Sequence, residues 1–131
     1  MSRKINFSIG GVWGGRFIFE ILIDGLTARC KAAARVHRND KKARQIFYKA
    51  EGTLVEVSEA WLAELDALEI FSWEKNYFNA DILDGTQWYL TFEDGEKIYR
   101  GHGWNAAHRN WPRFMDWLGE IFKEDSMWLN I

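Results

Sequence analysis

Between Trp73 and Asn105 the chain spells out much of its own local path. Ile82-Leu83-Asp84-Gly85-Thr86-Gln87-Trp88 sets an Asp-Gly turn directly before an alternating run, Thr86 to Glu93, in which Trp88, Leu90 and Phe92 share one face. A second pair, Asp94-Gly95, then returns the chain as a hairpin. A two-residue loop would set Ile98 opposite Thr91 on the polar face. A three-residue loop, Glu93-Asp94-Gly95 with Gly95 left-handed, sets Ile98 opposite Leu90 and pairs Tyr89 with Tyr99. Burial of Ile98 favours the second, which is the expected register. Gly101-His102-Gly103-Trp104-Asn105 leads out of the hairpin. A hairpin with one apolar face is marginal alone, so more strands or a helix must cover that face.

The same grammar governs the amino-terminal part. Lys4 to Ile9 reads as a strand, and Gly10 to Gly15 as a flexible loop carrying Trp13. Phe17, Phe19, Ile21 and Ile23 alternate cleanly before Asp24-Gly25. Taken as the centre of a hairpin turn, that pair sets Ile23 opposite Leu26, Ile21 opposite Ala28, Phe19 opposite Cys30 and Glu20 opposite Arg29. Cys30 then lies on the apolar face, as a small buried hydrophobe rather than a nucleophile. Arg35 to Lys42 reads as a polar, basic loop. Arg44 to Ala50 and Thr53 to Val57 read as two strands broken at Glu51-Gly52.

Two helices complete the list. Ser58 is a suitable N-cap, with Val57 and Leu62 placed as a hydrophobic staple. Trp61, Leu62, Leu65 and Leu68 line one side of a helix ending near Ile70, and Glu59, Glu64, Asp66 and Glu69 line the other. Asn110 and Pro112 suit the start of a second helix, in which Phe114, Trp117, Leu118 and Ile121 recur at i, i+3, i+4 and i+7 and which ends near Lys123. Phe71 to Leu83 reads as an irregular aromatic loop. Strands, helix, strands, helix imply an α+β fold, with about six or seven mainly antiparallel strands and both amphipathic helices on one face. The length, 131 residues, fits a single domain over residues 1–131.

From Ser58 onward the chain resembles a group of small bacterial α+β proteins. The resemblance rests on Trp61, the Ile70-Phe71-Ser72-Trp73 segment, Tyr77-x-Asn79, Ile82 to Trp88, the Asp94-Gly95 hairpin, Gly103-x-Asn105-Ala106 and the closing amphipathic helix. Such proteins usually continue after Asn-Ala with Tyr-Pro-Glu-Asn, where this chain has Ala107-His108-Arg109-Asn110. The resemblance implies the fold and carries no activity with it.

Charge is divided along the chain. Residues 1–50 hold 11 Lys and Arg against 3 Asp and Glu, and residues 51–131 hold 6 against 16. Such polarity marks a binding face unless the two halves neutralise each other in space. With one cysteine, no signal-like start and no long apolar run, the chain reads as cytoplasmic, without a disulfide or membrane span. No phosphate loop, dinucleotide fingerprint or nucleophile-elbow motif occurs, and His37, His102 and His108 match no metal spacing. No cofactor is expected. Asp84, Thr86, Gln87 and Asn105 fit local roles in turns, the alternative being a polar pocket with Trp73, Trp88 and Trp104.

The reading that follows is a non-enzymatic protein-binding module that blocks or scaffolds a partner, for example an immunity-type antitoxin in a bacterial conflict system. Aromatic anchors ringed by charge are what protein interfaces use, and Trp13, Trp104, His108 and Arg109 are the expected partner-facing residues. The alternative is nucleic-acid binding through the basic stretch 29–49, with Arg35, Arg38, Lys41, Lys42 and Arg44 on phosphates. A small hydrolase using His102 or His108 with a carboxylate is the third reading.

Overall fold

The computed structural model of the chain describes residues 2–10, 16–35, 45–79 and 86–122, apart from the side chains at 34–35 and 45–51. Seven strands form one sheet: β1 (Ser2–Gly10), β2 (Arg16–Asp24), β3 (Thr27–Arg35), β4 (Gln45–Glu56), β5 (Asn76–Phe78), β6 (Gln87–Asp94) and β7 (Lys97–Trp104). Their order is β4-β3-β2-β1-β6-β7-β5. Every neighbouring pair is antiparallel except β5 and β7, which run parallel. Helices α1 (Glu59–Ala67) and α2 (Trp111–Phe122) pack on one side. The α+β class read from the element order is therefore the class observed.

Alternation along the strands makes the core. Ile5 and Phe7 of β1, Phe19, Ile21 and Ile23 of β2, Ala28, Cys30 and Ala32 of β3, and Trp88, Leu90 and Phe92 of β6 are all buried. They meet Trp61, Leu65 and Leu68 from the first helical segment and Phe114, Trp117, Leu118 and Phe122 from α2. The Trp61 and Trp117 rings stack 4.2 Å apart. Each indole N–H donates to the other residue's backbone carbonyl, at 3.3 Å from Trp61 and 2.9 Å from Trp117. The two helices are thus joined by ring contact and by two hydrogen bonds that satisfy buried donors.

The start of α1 follows its sequence signals. Ser58 Oγ accepts from the Trp61 backbone N–H at 3.0 Å, and Val57 and Leu62 both pack on the core edge. The end of α1 is fixed by side chains from elsewhere. The Leu68 carbonyl accepts from the Trp73 indole at 2.8 Å and from the Asn110 amide at 3.1 Å. Glu69 adopts φ of 53°, a left-handed residue closing the helix, and a short 3₁₀ turn, Ile70–Ser72, follows. Among the ion pairs, Arg113 of α2 reaches Glu64 of α1 at 2.5 Å, and Arg3 of β1 reaches Asp66 at 2.8 Å.

Both hairpins differ from the expected register, the first by two residues and the second by three. Asp24 pairs with Thr27, which sets Ile23 opposite Ala28, Ile21 opposite Cys30 and Phe19 opposite Ala32. Glu20 faces Lys31, not Arg29. In the second hairpin Asp94 pairs with Lys97, Phe92 with Tyr99, and Tyr89 with His102. Ile98, expected to be buried, stands 50% exposed, while Tyr99 is buried. The physical reason is the turn. Gly25 and Gly95 have φ of 60° and 62°, whereas the residues after them, Leu26 and Glu96, do not share that sign. A turn needing positive φ only at its first central residue puts glycine first, so Gly-Leu and Gly-Glu are the loops and the Asp belongs to the strand.

Two further differences concern the chain between the signals. Residues 45–56 form one strand rather than two, with the Glu51-Gly52 break appearing as a bulge: Lys31 alone stands against residues 49–52. Within the segment read as an irregular aromatic loop, Asn76–Phe78 adds to the sheet edge as β5. The Asp84-Gly85 turn and the tail after Phe122 lie outside the described residues.

Candidate functional site: the uncovered sheet face

A sheet with helices on one side has a second side. On it the strands present Lys4, Asn6 and Ser8 (β1), Arg16, Ile18, Glu20 and Leu22 (β2), Arg29, Lys31 and Ala33 (β3), Gln87, Tyr89, Thr91 and Glu93 (β6), and Ile98, Arg100, His102 and Trp104 (β7). Leu54 of β4 lies beside Arg29, and Phe78 of β5 beside Trp104. Among the described residues no helix covers this face.

Its composition is unusual for a solvated surface. Nine large apolar or aromatic side chains among the described residues are exposed, and seven of them stand here: Ile18, Leu22, Leu54, Phe78, Tyr89, Ile98 and Trp104. Phe78 is the most open, at 69%. The two others are elsewhere: Leu26 sits in a hairpin turn, and Phe71 stacks on Phe92 beneath Lys97. Single exposed apolar residues need no explanation, but a clustered set does.

The aromatic end of the face is ordered. Trp104 meets Phe78 edge-on at 6.0 Å. Tyr89 stacks with His102 at 5.8 Å. The Arg16 guanidinium lies 5.4 Å from the Tyr89 ring centre and donates to Ser8 Oγ at 2.9 Å. Its charge is held over an aromatic ring while other N–H groups remain for a partner.

Charge also divides by side. The uncovered face carries Lys4, Arg16, Arg29, Lys31 and Arg100 against Glu20, Asp24, Glu56 and Glu93, with Lys4 and Glu20 paired at 3.9 Å and with Asp24 and Glu56 at the end where β2 turns into β3. The helical side carries the exposed Glu59, Asp66, Glu69, Asp116 and Glu120 against Arg3, Lys97, Arg109 and Arg113, with Arg3 paired to Asp66 and Arg113 to Glu64. Among the described residues the helical side is the more acidic, while on the sheet face the rows from Arg16 to Lys31 and Arg100 hold one carboxylate, Glu20. From β3 to β7 the face spans four strand spacings, or roughly 19 Å. A flat surface of that breadth suits a macromolecule, since small ligands are held in concave pockets.

The expected partner-facing residues separate. Trp104 is on the uncovered face, 42% exposed. His108 is on the helical side, where its ring stacks on Trp73 at 4.9 Å and its Nδ1 accepts from the Asn110 backbone N–H at 3.0 Å. Burial holds the His108 pKa below its ordinary value, helped by Arg109 and opposed by Glu69. Arg109 is exposed beside it. Trp13 lies outside the described residues, as do Arg38, Lys41, Lys42 and Arg44 of the alternative nucleic-acid set. Arg35 ends β3, its backbone paired with Arg16 and Gln45.

The polar-pocket set is also only partly assembled. Asn105, left-handed at φ of 57°, accepts the Thr86 N–H on its Oδ1 at 2.9 Å and donates its own N–H to the Thr86 carbonyl at 2.8 Å. Its role there is to close the exit of β7. A cleft of about 260 Å³ does lie beside it, lined by Ile9, Thr86, Trp88, Asn105, Ala106, Ala107 and Trp111. Trp73 and Trp104 are not among its walls, so the three tryptophans do not converge. The Trp88 indole donates to the Ala106 carbonyl at 2.9 Å. Among the described residues no group of three or more His, Cys, Asp or Glu is placed to hold a metal ion, and no helix is long and apolar enough to cross a membrane.

Of the seven exposed residues on this face, Trp104 is among the expected partner-facing residues, and Ile18, Leu22, Leu54, Phe78, Tyr89 and Ile98 are not. For Ile18 and Leu22 a signal was available: they alternate with Phe17, Phe19, Ile21 and Ile23, so β2 is apolar on both sides. A strand apolar on both faces expects cover on both. Compared with protein-family models, with curated proteins and with solved structures, the chain matches none.

Proposed function

We propose that the chain is a non-enzymatic binding module that docks a protein partner on its uncovered sheet face, in the cytoplasm. The observation that carries this reading is the gathering of seven exposed apolar side chains on one face of the sheet, interleaved with Lys and Arg. Aliphatic residues such as Ile18, Leu22, Leu54 and Ile98 gain from a protein surface, which can bury them, and gain little from a polynucleotide. An immunity-type inhibitor of a bacterial toxin is one concrete form of this reading. Of the expected anchors, Trp104 belongs to this surface, and Arg109 would border it only if the partner reached around the β7 exit.

A second reading is favoured by the aromatic end. Tyr89, His102, Trp104 and Phe78 with Arg16 resemble a stacking platform for single-stranded nucleic acid. It moves that alternative from the 29–49 stretch to the β5–β7 corner.

The test is capture from native lysate by the tagged chain, beside Trp104→Ala and Ile98→Ser variants. Both positions are exposed, so each variant should fold with a stability change of about 0.5 kcal/mol or less. The expected result is one stoichiometric protein that the wild type retains at moderate salt and both variants lose. Retention of that partner by both variants places the docking site elsewhere.

A further inference from the structure

Resting on the docking reading above, we infer that the occupant of the uncovered sheet face is an acidic protein surface, its carboxylates meeting Arg16, Arg100 and Lys31 around an apolar centre. Arg100 on β7 and Lys31 on β3 stand in one cross-strand row, separated by Thr91, Asn6 and Glu20. Arg16 lies nearer the aromatic end, held by Ser8 and the Tyr89 ring. Arg16 and Lys31 are the cations nearest Ile18, and Leu22 stands between Arg29 and Lys4 in its own row, while Arg100 lies three strands away on β7. Glu20 lies 3.9 Å from Lys4 and stands opposite Lys31 in the strand pairing, so it offsets part of the charge of this row and leaves Arg16 and Arg100 without a carboxylate beside them in the pairing. A partner that covered this face without offering carboxylates would strip water from Arg16 and Arg100 uncompensated, which weakens binding. A basic partner would add like-charge repulsion. An acidic one satisfies both conditions, and the acidic helical layer on the opposite side of the chain steers it to the sheet face.

The experiment uses the intact, isotope-labelled chain and three probes: a random Glu/Tyr copolymer, a random Lys/Tyr copolymer, and a twenty-nucleotide oligothymidylate. Backbone amide shifts report where each binds, and titration at two salt concentrations reports how tightly. The Glu/Tyr copolymer should shift Ile18, Lys31, Tyr89 and Arg100, with affinity falling as salt rises. Arg16→Glu and Arg100→Glu should each weaken it about tenfold or more, while Glu120→Lys on α2 leaves it unchanged.

Tighter binding of the oligothymidylate at the same residues overturns the inference in favour of nucleic acid. Preference for the Lys/Tyr copolymer, or no shift on this face with any probe, overturns it as well. The lysate capture keeps the two levels apart. A partner lost by Trp104→Ala and Ile98→Ser but kept by Arg16→Glu and Arg100→Glu contradicts the acidic chemistry and leaves the docking face standing. A partner kept by all four variants removes the docking face itself.

Discussion

His108 carries a local load that its sequence position does not announce. Its Nδ1 accepts a backbone N–H at the start of α2, and only the neutral ring can do so. Its folded pKa is depressed by burial, then by Arg109. Stability from the neutral ring is therefore complete above the unfolded value of about 6.5 and is lost as pH falls below it towards the folded pKa. Thermal unfolding between pH 8 and pH 5 should show the wild type losing more stability than His108→Phe, which keeps a ring against Trp73 but does not titrate. Parallel pH profiles for the two proteins would contradict that role. Gly103 is a second single-residue constraint. A Cβ there would stand 2.2 Å from the Trp88 Nε1 and 2.4 Å from the Ala106 carbonyl oxygen. Gly103→Ala should cost about 3 kcal/mol, at the upper end of overpacking effects, in urea unfolding. A change within about 0.5 kcal/mol would mean that the β7 exit repacks freely. At Gly101 the obstacle is the Tyr99 hydroxyl, which donates to the Glu74 carbonyl at 2.6 Å and whose pKa burial, with Tyr77, pushes up to about 12.

Among the elements, α1 and α2 were legible in place and buried face, because capping at Ser58 and the 3.6-residue spacing of Trp61, Leu65, Phe114 and Trp117 are local, but α1 ends at Ala67 rather than near Ile70 because Glu69 turns left-handed there. The strands were legible as strands, but their registers were not. Asp24-Gly25 and Asp94-Gly95 announce a turn without stating which residue is its first centre, and one choice moves every pairing by two residues. Such a two-residue slip keeps each side chain on its face, so Cys30 stayed buried as expected. The odd slip chosen for the second hairpin instead exchanged Ile98 and Tyr99. β5 was unreadable for another reason: three residues give no periodicity, and its pairing with β7 is non-local. The reciprocal bonds between Trp61 and Trp117 were equally invisible in sequence. Trp117→Phe retains a ring but leaves the buried Trp61 carbonyl without this donor, and should cost about 1–3 kcal/mol. Calorimetry of Trp117→Phe and Trp61→Phe singly and together should give a non-additive total. Additive losses would mean that the two rings act independently.

At the scale of the whole molecule, the sequence displayed a charge asymmetry without showing whether it survives folding. The sheet keeps part of it: β1 to β3 turn Lys4, Arg16, Arg29 and Lys31 away from the helices and α1 and α2 carry their carboxylates on the other side, while Arg3 faces α1 and Asp24 and Glu56 share the uncovered face. What sequence patterning could not provide was the order β3-β2-β1-β6-β7, which alone brings Ile18 and Leu22 onto one surface with Tyr89, Ile98 and Trp104. The central claim is that this surface is open in the free chain and closed by a partner. Hydroxyl-radical footprinting of the free chain and of the captured complex tests it most directly. In the free chain Phe78, Tyr89 and Trp104 should be oxidised readily while Trp61, Trp73, Trp88 and Trp117 are spared. In the complex the first three should become protected, with no new protection on α1 or α2. Protection of Phe78, Tyr89 and Trp104 already in the free chain, or their unchanged oxidation in the complex, would contradict the account.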